Sequence, residues 1–191
     1  MTLTDFDWDS YPGAVGIDQK RDLVTAYVEH FADAERKGYG VYIHGATAGS
    51  GKTYLAQCLA GSILEKWTEG SARMVTEGEL LEMSRRKTID GSDPLSPVLS
   101  CHVLIIDDLG EKRTERSRLE DVIFRVIDTR YHFHRVTLIT SNYPLDTLPN
   151  KRVSSRINAS SAFALQLPDI SVRARQAAKE KADFLREIGI T

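Results

Sequence analysis

The run Val41-Tyr42-Ile43-His44-Gly45-Ala46-Thr47-Ala48-Gly49-Ser50-Gly51-Lys52-Thr53 decides how the rest of the chain is read. It opens on β-branched and aromatic residues and passes through a glycine-rich turn. Leu55, Ala56, Leu59, Ala60 and Ile63 then follow at the spacing of one helical face. Strand, glycine loop and helix in that order is the setting of a phosphate-binding loop, which implies a nucleoside triphosphate as ligand. The glycines let successive backbone N–H groups turn inward around a phosphate, and the helix N-terminus adds its positive end. Lys52 can reach the β- and γ-phosphates, and the Thr53 hydroxyl can ligate Mg²⁺. The entry to the loop is irregular, because the usual spacing back from Gly51 puts the first glycine at Ala46, with Gly45 one place further out. Either the loop is one residue longer or alanine stands at its first turn.

With 191 residues, 41% hydrophobic and 27% charged, the chain has room for one domain of ordinary size with a substantial core. A net charge of −2 argues against wholesale coating of nucleic acid or membrane while leaving local basic clusters possible. Cys58 and Cys101 read as two small buried side chains, with no disulfide framework, which suits a reducing, cytoplasmic compartment. Asp5, Asp7 and Asp9 stand where a signal peptide would have its apolar segment, and the apolar runs are too short to span a bilayer, so no membrane association is expected.

Residues 1–16, with Phe6, Trp8, Tyr11 and Pro12, read as an irregular arm with aromatic anchors packing on a domain of residues 17–191. Val24, Tyr27, Val28 and Phe31 predict a helix over 17–37, ended by Gly38 and Gly40. Strand 41–44 and a helix to about residue 67 come next. A short strand is expected at 73–76, a helix over 78–86, and a loop over 88–97 with Gly91, Pro94 and Pro97. Val103-Leu104-Ile105-Ile106-Asp107 is a continuous apolar run ending in acid, the pattern of a strand buried on both faces of a parallel sheet. A helix carrying Leu119, Val122, Ile123, Val126 and Ile127 follows, then strands at 136–141 and 162–166 and a terminal helix over 172–188. Alternation of this kind predicts an α/β fold: a parallel sheet of about five strands covered by helices on both faces, with the ligand at the carboxyl ends of the strands.

Asp107 and Asp108 stand at the end of the central apolar strand, where a P-loop fold holds its Mg²⁺ and its attacking water. Asp107 is assigned to the metal with Thr53, and Asp108 to orienting the water. The next strand ends Thr140-Ser141-Asn142, and the Asn142 amide carries both a donor and an acceptor for the water or the γ-phosphate. Arg152 and Arg156, just beyond, have the chemistry to stabilise charge on a transferring phosphoryl group from a neighbouring subunit.

Taken together, Gly49-Ser50-Gly51-Lys52-Thr53-Tyr54-Leu55-Ala56, Leu104-Ile105-Ile106-Asp107-Asp108-Leu109-Gly110, Thr140-Ser141-Asn142, Ser155-Arg156-Ile157 and Ser171-Val172-Arg173 resemble one family. It is the AAA+ ATPases of the bacterial replicative helicase loader type, DnaC and DnaI, with the IstB transposition ATPases as close relatives. The resemblance implies a P-loop AAA+ core with a minimal or absent C-terminal lid, and ATP and Mg²⁺ as cofactors. Nucleotide-binding residues are then Ala48, Gly49, Ser50, Gly51, Lys52, Thr53, Tyr54 and Arg173. Catalytic residues are Lys52, Asp107, Asp108, Asn142 and, as an arginine finger acting in trans, Arg156. Val15-Gly16-Ile17 looks like the segment that lines the adenine site. The partners implied are a hexameric replicative helicase, single-stranded DNA and further copies of the chain in an ATP-dependent assembly. Only sixteen residues precede the first expected helix, so the extra N-terminal domain through which loaders grip the helicase is not expected in this sequence.

In loaders the segment between the second and third strands lies towards single-stranded DNA, and here it holds Arg85, Arg86 and Lys87. A second basic cluster, Lys112, Arg113, Arg116 and Arg118, follows the acidic pair. His132 and His134 bracket Phe133 without further metal ligands at suitable spacing, so Tyr131 and Phe133 are expected to pack under the sheet. Three other functions fit parts of the pattern: a transposition ATPase of the IstB kind, a small-molecule P-loop kinase, and a nucleotide-gated interaction module with little hydrolysis.

Overall fold

A computed structural model describes residues 1–66, 70–86, 91–110 and 116–187. After two single-turn 3₁₀ segments, Leu3–Asp5 and Trp8–Ser10, the described elements are α1 (Ile17–Glu29), α2 (Phe31–Lys37), β1 (Gly40–His44) and α3 (Lys52–Lys66). They continue with β2 (Ala72–Thr76), α4 (Glu77–Arg85), α5 (Ser96–Ser100) and β3 (Val103–Leu109). The remainder is α6 (Arg116–His132), β4 (Val136–Ser141), a third 3₁₀ turn (Leu145–Thr147), α7 (Lys151–Ser160), β5 (Ser161–Gln166) and α8 (Val172–Glu187).

The five strands form one parallel sheet in the order β2-β3-β4-β1-β5. The apolar run of β3 is divided between two layers by the alternation of a strand. Val103 and Ile105 face a core with α1, α3 and the N-terminal arm, through Val24, Tyr27, Leu55, Leu59 and Phe6. Leu104 and Ile106 face the other core, with Leu80, Val98, Ile123 and Ile157 from α4 to α7. A strand apolar at every position is therefore the expected consequence of helices on both sides.

Three expectations need correction. The helix over 17–37 is two helices, because His30 (φ −102°, ψ 24°) leaves helical geometry between α1 and α2. Tyr27 and Phe31, one turn apart across the break, meet edge to face at 6.1 Å in the core, and Tyr27 Oη donates to Tyr39 O at 2.7 Å. Of the loop over 88–97, Pro97 instead lies in the first turn of α5, a position where the missing N–H costs nothing; residues 88–90 lie outside the described residues. Phe133 is 66% exposed rather than packed under the sheet, because α6 ends at His132 and the chain turns back through His134 at φ 53°.

Arg130 on α6 is fully buried. Its guanidinium donates to the carbonyl oxygens of Val98, Cys101, His102 and Val136 at 2.7, 2.9, 3.2 and 2.5 Å, and to Thr137 Oγ1 at 3.0 Å. It ties α5 and the starts of β3 and β4 together, and burial pulls its pKa down to about 10. The site described next lies at the opposite, carboxyl ends of these strands.

Candidate functional site

The turn between β1 and α3 wraps around the amine of Lys52. Lys52 is buried, and its Nζ donates to Gly45 O at 2.9 Å, Thr47 O at 3.0 Å and Ser50 Oγ at 3.3 Å. At the irregular entry a Cβ on Gly45 would lie 3.1 Å from Leu167 O, a tight approach, whereas Ala46 is exposed, and Gly45 O is one of the acceptors of the Lys52 amine. Gly51 has φ 92°, where a side chain is strained, and its Cβ would lie 2.7 Å from Tyr11 Oη.

Beneath the loop, Thr53 Oγ1 donates to Asp107 Oδ1 at 2.9 Å, and Thr140 Oγ1 donates to the same oxygen at 2.5 Å. Thr140 in turn accepts the backbone N–H of Asp108 at 3.0 Å. This geometry is built by a β-bulge: between the pairs Ile106↔Ile139 and Leu109↔Ser141, β3 advances three residues while β4 advances two. Asp108 takes up the extra residue at φ 55°, a left-handed conformation that aspartate tolerates better than most residues. The bulge leaves Asp107 almost wholly buried against Thr53 while Asp108 borders the cavity. The exit is pinned by Glu77, a buried carboxylate at the start of α4 whose Oε1 accepts Gly110 N–H at 2.7 Å.

The cavity over the loop measures about 1050 Å³. It is lined by Ala48, Gly49, Ser50, Gly51, Lys52, Thr53 and Tyr54, by Asp108 and Asn142, and by Arg173 and Arg175 from α8. Arg173 is tied to the loop through its N–H, which donates to Gly49 O at 3.2 Å. The acidic pair, Asn142 and Arg173, named from sequence, are thus brought to one place with Lys52 and Thr53.

Other residues named from sequence lie elsewhere. Arg156 is on α7, away from the cavity of its own chain. Its Nη2 is 2.9 Å from Asp128 Oδ1, its guanidinium lies 5.8 and 5.9 Å from the Phe124 and Tyr131 rings, and its buried Nε has no hydrogen-bond partner among the described residues. Arg152 stacks on Phe124 at 3.7 Å. Arg85 and Arg86, at the end of α4, are exposed, with Arg85 Nη1 3.1 Å from Glu82 Oε1. Lys87, Lys112, Arg113 and the side chain of Arg116 lie outside the described residues, and Arg118 is exposed. Val15 is 94% exposed, and residues 15–17 do not border the cavity. The part of the arm that does border it is Asp5, Phe6, Asp7, Ser10 and Tyr11.

Sequence reasoning missed two residues. Thr140 stands in the Thr-Ser-Asn run, but its link to Asp107 depends on the bulge. Tyr11 has the pattern of an aromatic anchor, and it is its hydroxyl that reaches the loop.

His44, at the end of β1, is half-buried, and burial lowers its pKa below the ordinary 6.5; Asp146 opposes the shift and Lys52 adds to it. Among the described residues, no helix is long and apolar enough to cross a membrane.

A family model described as IstB-like ATP binding protein matches residues 2–151. No curated protein matches the chain. Among solved structures, that of the DnaC helicase loader is 26% identical, with 87% of this chain and 98% of that chain covered at a TM-score of 0.70. A DnaI structure is 23% identical, covering 90% of each chain at a TM-score of 0.69. AMPPCP-bound DnaA from Aquifex aeolicus is 18% identical, covering 100% of this chain and 56% of that one at a TM-score of 0.66. The last two show likeness of fold.

Proposed function

The chain belongs to the IstB-like family of ATP-binding proteins, as an AAA+ protein of the DnaC/DnaI type, and we propose that it hydrolyses ATP to drive the loading of a hexameric replicative helicase. The observation that carries the ATPase reading is the contact of Thr53 Oγ1 with Asp107 Oδ1 directly beneath the loop that cradles Lys52. A hydroxyl and a carboxylate side by side, both hard oxygen donors, fit Mg²⁺, and Thr53 and Asp107 would hold it. When bound, the ion neutralises charge on the β- and γ-phosphates.

Ala48 to Tyr54 bind the triphosphate in this reading. Lys52 leaves the carbonyls of Gly45 and Thr47 for the phosphate oxygens, a charge-assisted exchange that favours the anion. Asp108, turned out by the bulge, accepts a hydrogen bond from the attacking water, and Asn142, just past the end of the adjacent strand β4, holds that water or the γ-phosphate. Arg173, anchored beside Gly49, adds positive charge. The water attacks the γ-phosphorus, the bond to the β-phosphate oxygen breaks, and ADP and phosphate leave. Arg156 supplies its guanidinium to the cavity of an adjoining copy, exchanging Asp128 for the transferring phosphoryl group, so assembly is ATP-dependent. Arg85, Arg86 and Lys87 contact the phosphates of single-stranded DNA, weakly and with salt dependence. Residues 1–16 form an arm on the ATPase domain of 17–191, and the protein works in the cytoplasm.

ATP turnover with and without single-stranded DNA tests the reading. Turnover should vanish in Asp107→Asn with ATP binding retained; a wild-type protein with neither turnover nor ATP affinity refutes it. Arg156→Ala should keep ATP binding and lower hydrolysis, and unchanged hydrolysis at saturating ATP would remove the finger. The family match over residues 2–151 supports a second reading, an ATPase that assists transposition. Binding to duplex DNA and a transposase, with no complex formed on mixing with a purified hexameric helicase, would select it.

A further inference from the structure

We propose that Tyr11 is a positioning residue for phosphate binding: its hydroxyl holds the Ser50 carbonyl so that the N–H of the same peptide, on Gly51, stays turned towards the phosphates. The proposal rests on the nucleotide-binding reading above and adds to it an element outside the P-loop.

Tyr11 is 2% exposed, and its Oη donates to Ser50 O at 2.5 Å. In a trans peptide the C=O and N–H point in opposite directions, and the structure holds no cis bond among the described residues. A donor fixed on the Ser50 carbonyl therefore fixes the Gly51 N–H pointing away from the arm. Without it, the Ser50–Gly51 peptide is free to flip, because glycine accepts both senses of φ and offers no steric resistance. A P-loop binds through N–H groups that must already face inward, so a peptide that samples both orientations loses affinity in proportion to the time spent reversed.

The arm is built to keep the hydroxyl there. Phe6 stacks on Tyr11 at 6.1 Å and on Tyr54 at 5.9 Å. Tyr54 Oη donates to Asp5 O at 3.1 Å, Leu3 N–H donates to Ser62 Oγ at 2.8 Å, and Arg175 Nη1 donates to Ser10 O at 3.4 Å. These contacts fasten the arm to both ends of the cavity, α3 and α8. Gly51 has no side chain, and this makes the approach possible, since a Cβ there would lie 2.7 Å from Tyr11 Oη. Burial and the nearby Asp7 push the Tyr11 phenol up to about 12, so it remains a donor at any pH the protein meets.

The test is Tyr11→Phe, which keeps the ring and removes only the hydroxyl, with ADP titrated by calorimetry into the wild-type and variant chains. The variant should bind ADP about five- to tenfold more weakly, as expected for one net hydrogen bond. Its melting temperature without nucleotide should fall by a few degrees, because the buried Ser50 carbonyl loses its donor, and the rise in melting temperature on adding ADP should also shrink. Phe6→Leu, which loosens the ring stack but keeps the hydroxyl, should weaken ADP binding by a smaller factor, and it serves if the first variant does not fold. A Tyr11→Phe variant that melts earlier with its ADP affinity unmoved would show a merely structural bond and overturn the proposal. Wild-type protein that does not bind ADP removes the nucleotide reading itself, whereas wild-type binding with an unmoved variant removes only this inference.

Discussion

Replacing Thr140 by valine keeps the shape of the side chain and deletes one hydroxyl, and that hydroxyl holds the acidic bulge together. Thr140 Oγ1 donates to Asp107 Oδ1 at 2.5 Å and accepts the Asp108 N–H at 3.0 Å, in a fully buried position. A hydrogen bond to a charged group contributes ~1.5–3 kcal/mol, and a buried N–H left without an acceptor costs ~1–3 kcal/mol. The two effects share one atom and overlap, so the expected loss is about 3 kcal/mol. For a chain of this size that corresponds to a melting temperature ~6–12 °C lower. Thermal unfolding followed by circular dichroism, without nucleotide or metal, measures it. Thr140→Ser keeps the hydroxyl and loses a methyl group, so it should retain most of the stability and the ATP turnover that Thr140→Val loses. The reasoning is refuted if Thr140→Val melts within about 2 °C of the wild type, or if Thr140→Ser falls as far as Thr140→Val, since packing rather than the hydroxyl would then be responsible.

Arg130→Lys should cost about 3–5 kcal/mol in urea unfolding, because one ammonium cannot reach acceptors arranged around a fork, and the unserved carbonyls stay buried. A loss under ~1 kcal/mol would mean that the carbonyls find other partners. His44 sets a pH dependence. Its folded pKa is depressed, so the unfolded chain takes up a proton first as the pH falls through about 6.5, and stability present above that value is lost below it. His44→Gln should therefore lose less melting temperature than the wild type between about pH 7.5 and about pH 5.5; an equal loss would assign the dependence to other groups.

Periodicity and local chemistry made much of this protein legible in its sequence. The apolar run of β3 announced a strand covered on both faces, and Gly-Ser-Gly-Lys-Thr between a strand and a helix announced the loop, since both patterns follow from the geometry of neighbouring residues. The placement of the acids at a strand end also followed, because in a parallel α/β sheet the carboxyl ends of the strands share one edge. The helix over 17–37 was not legible as two, because the apolar spacing of one helical face continues across His30 and only the backbone geometry at that residue shows the break.

What the tertiary structure alone decided are contacts between residues distant in the chain. The bulge that buries Asp107 and turns out Asp108 exists only in register with β4, and Thr140 completes it from 33 residues away. Tyr11 reaches Ser50 across 39 residues, and Arg130 gathers carbonyls from two strand starts and α5. Sequence patterns record what each residue asks of its own segment. Which distant partner meets that demand is set when the segments pack, because a buried polar group takes whatever acceptor or donor the fold brings within reach.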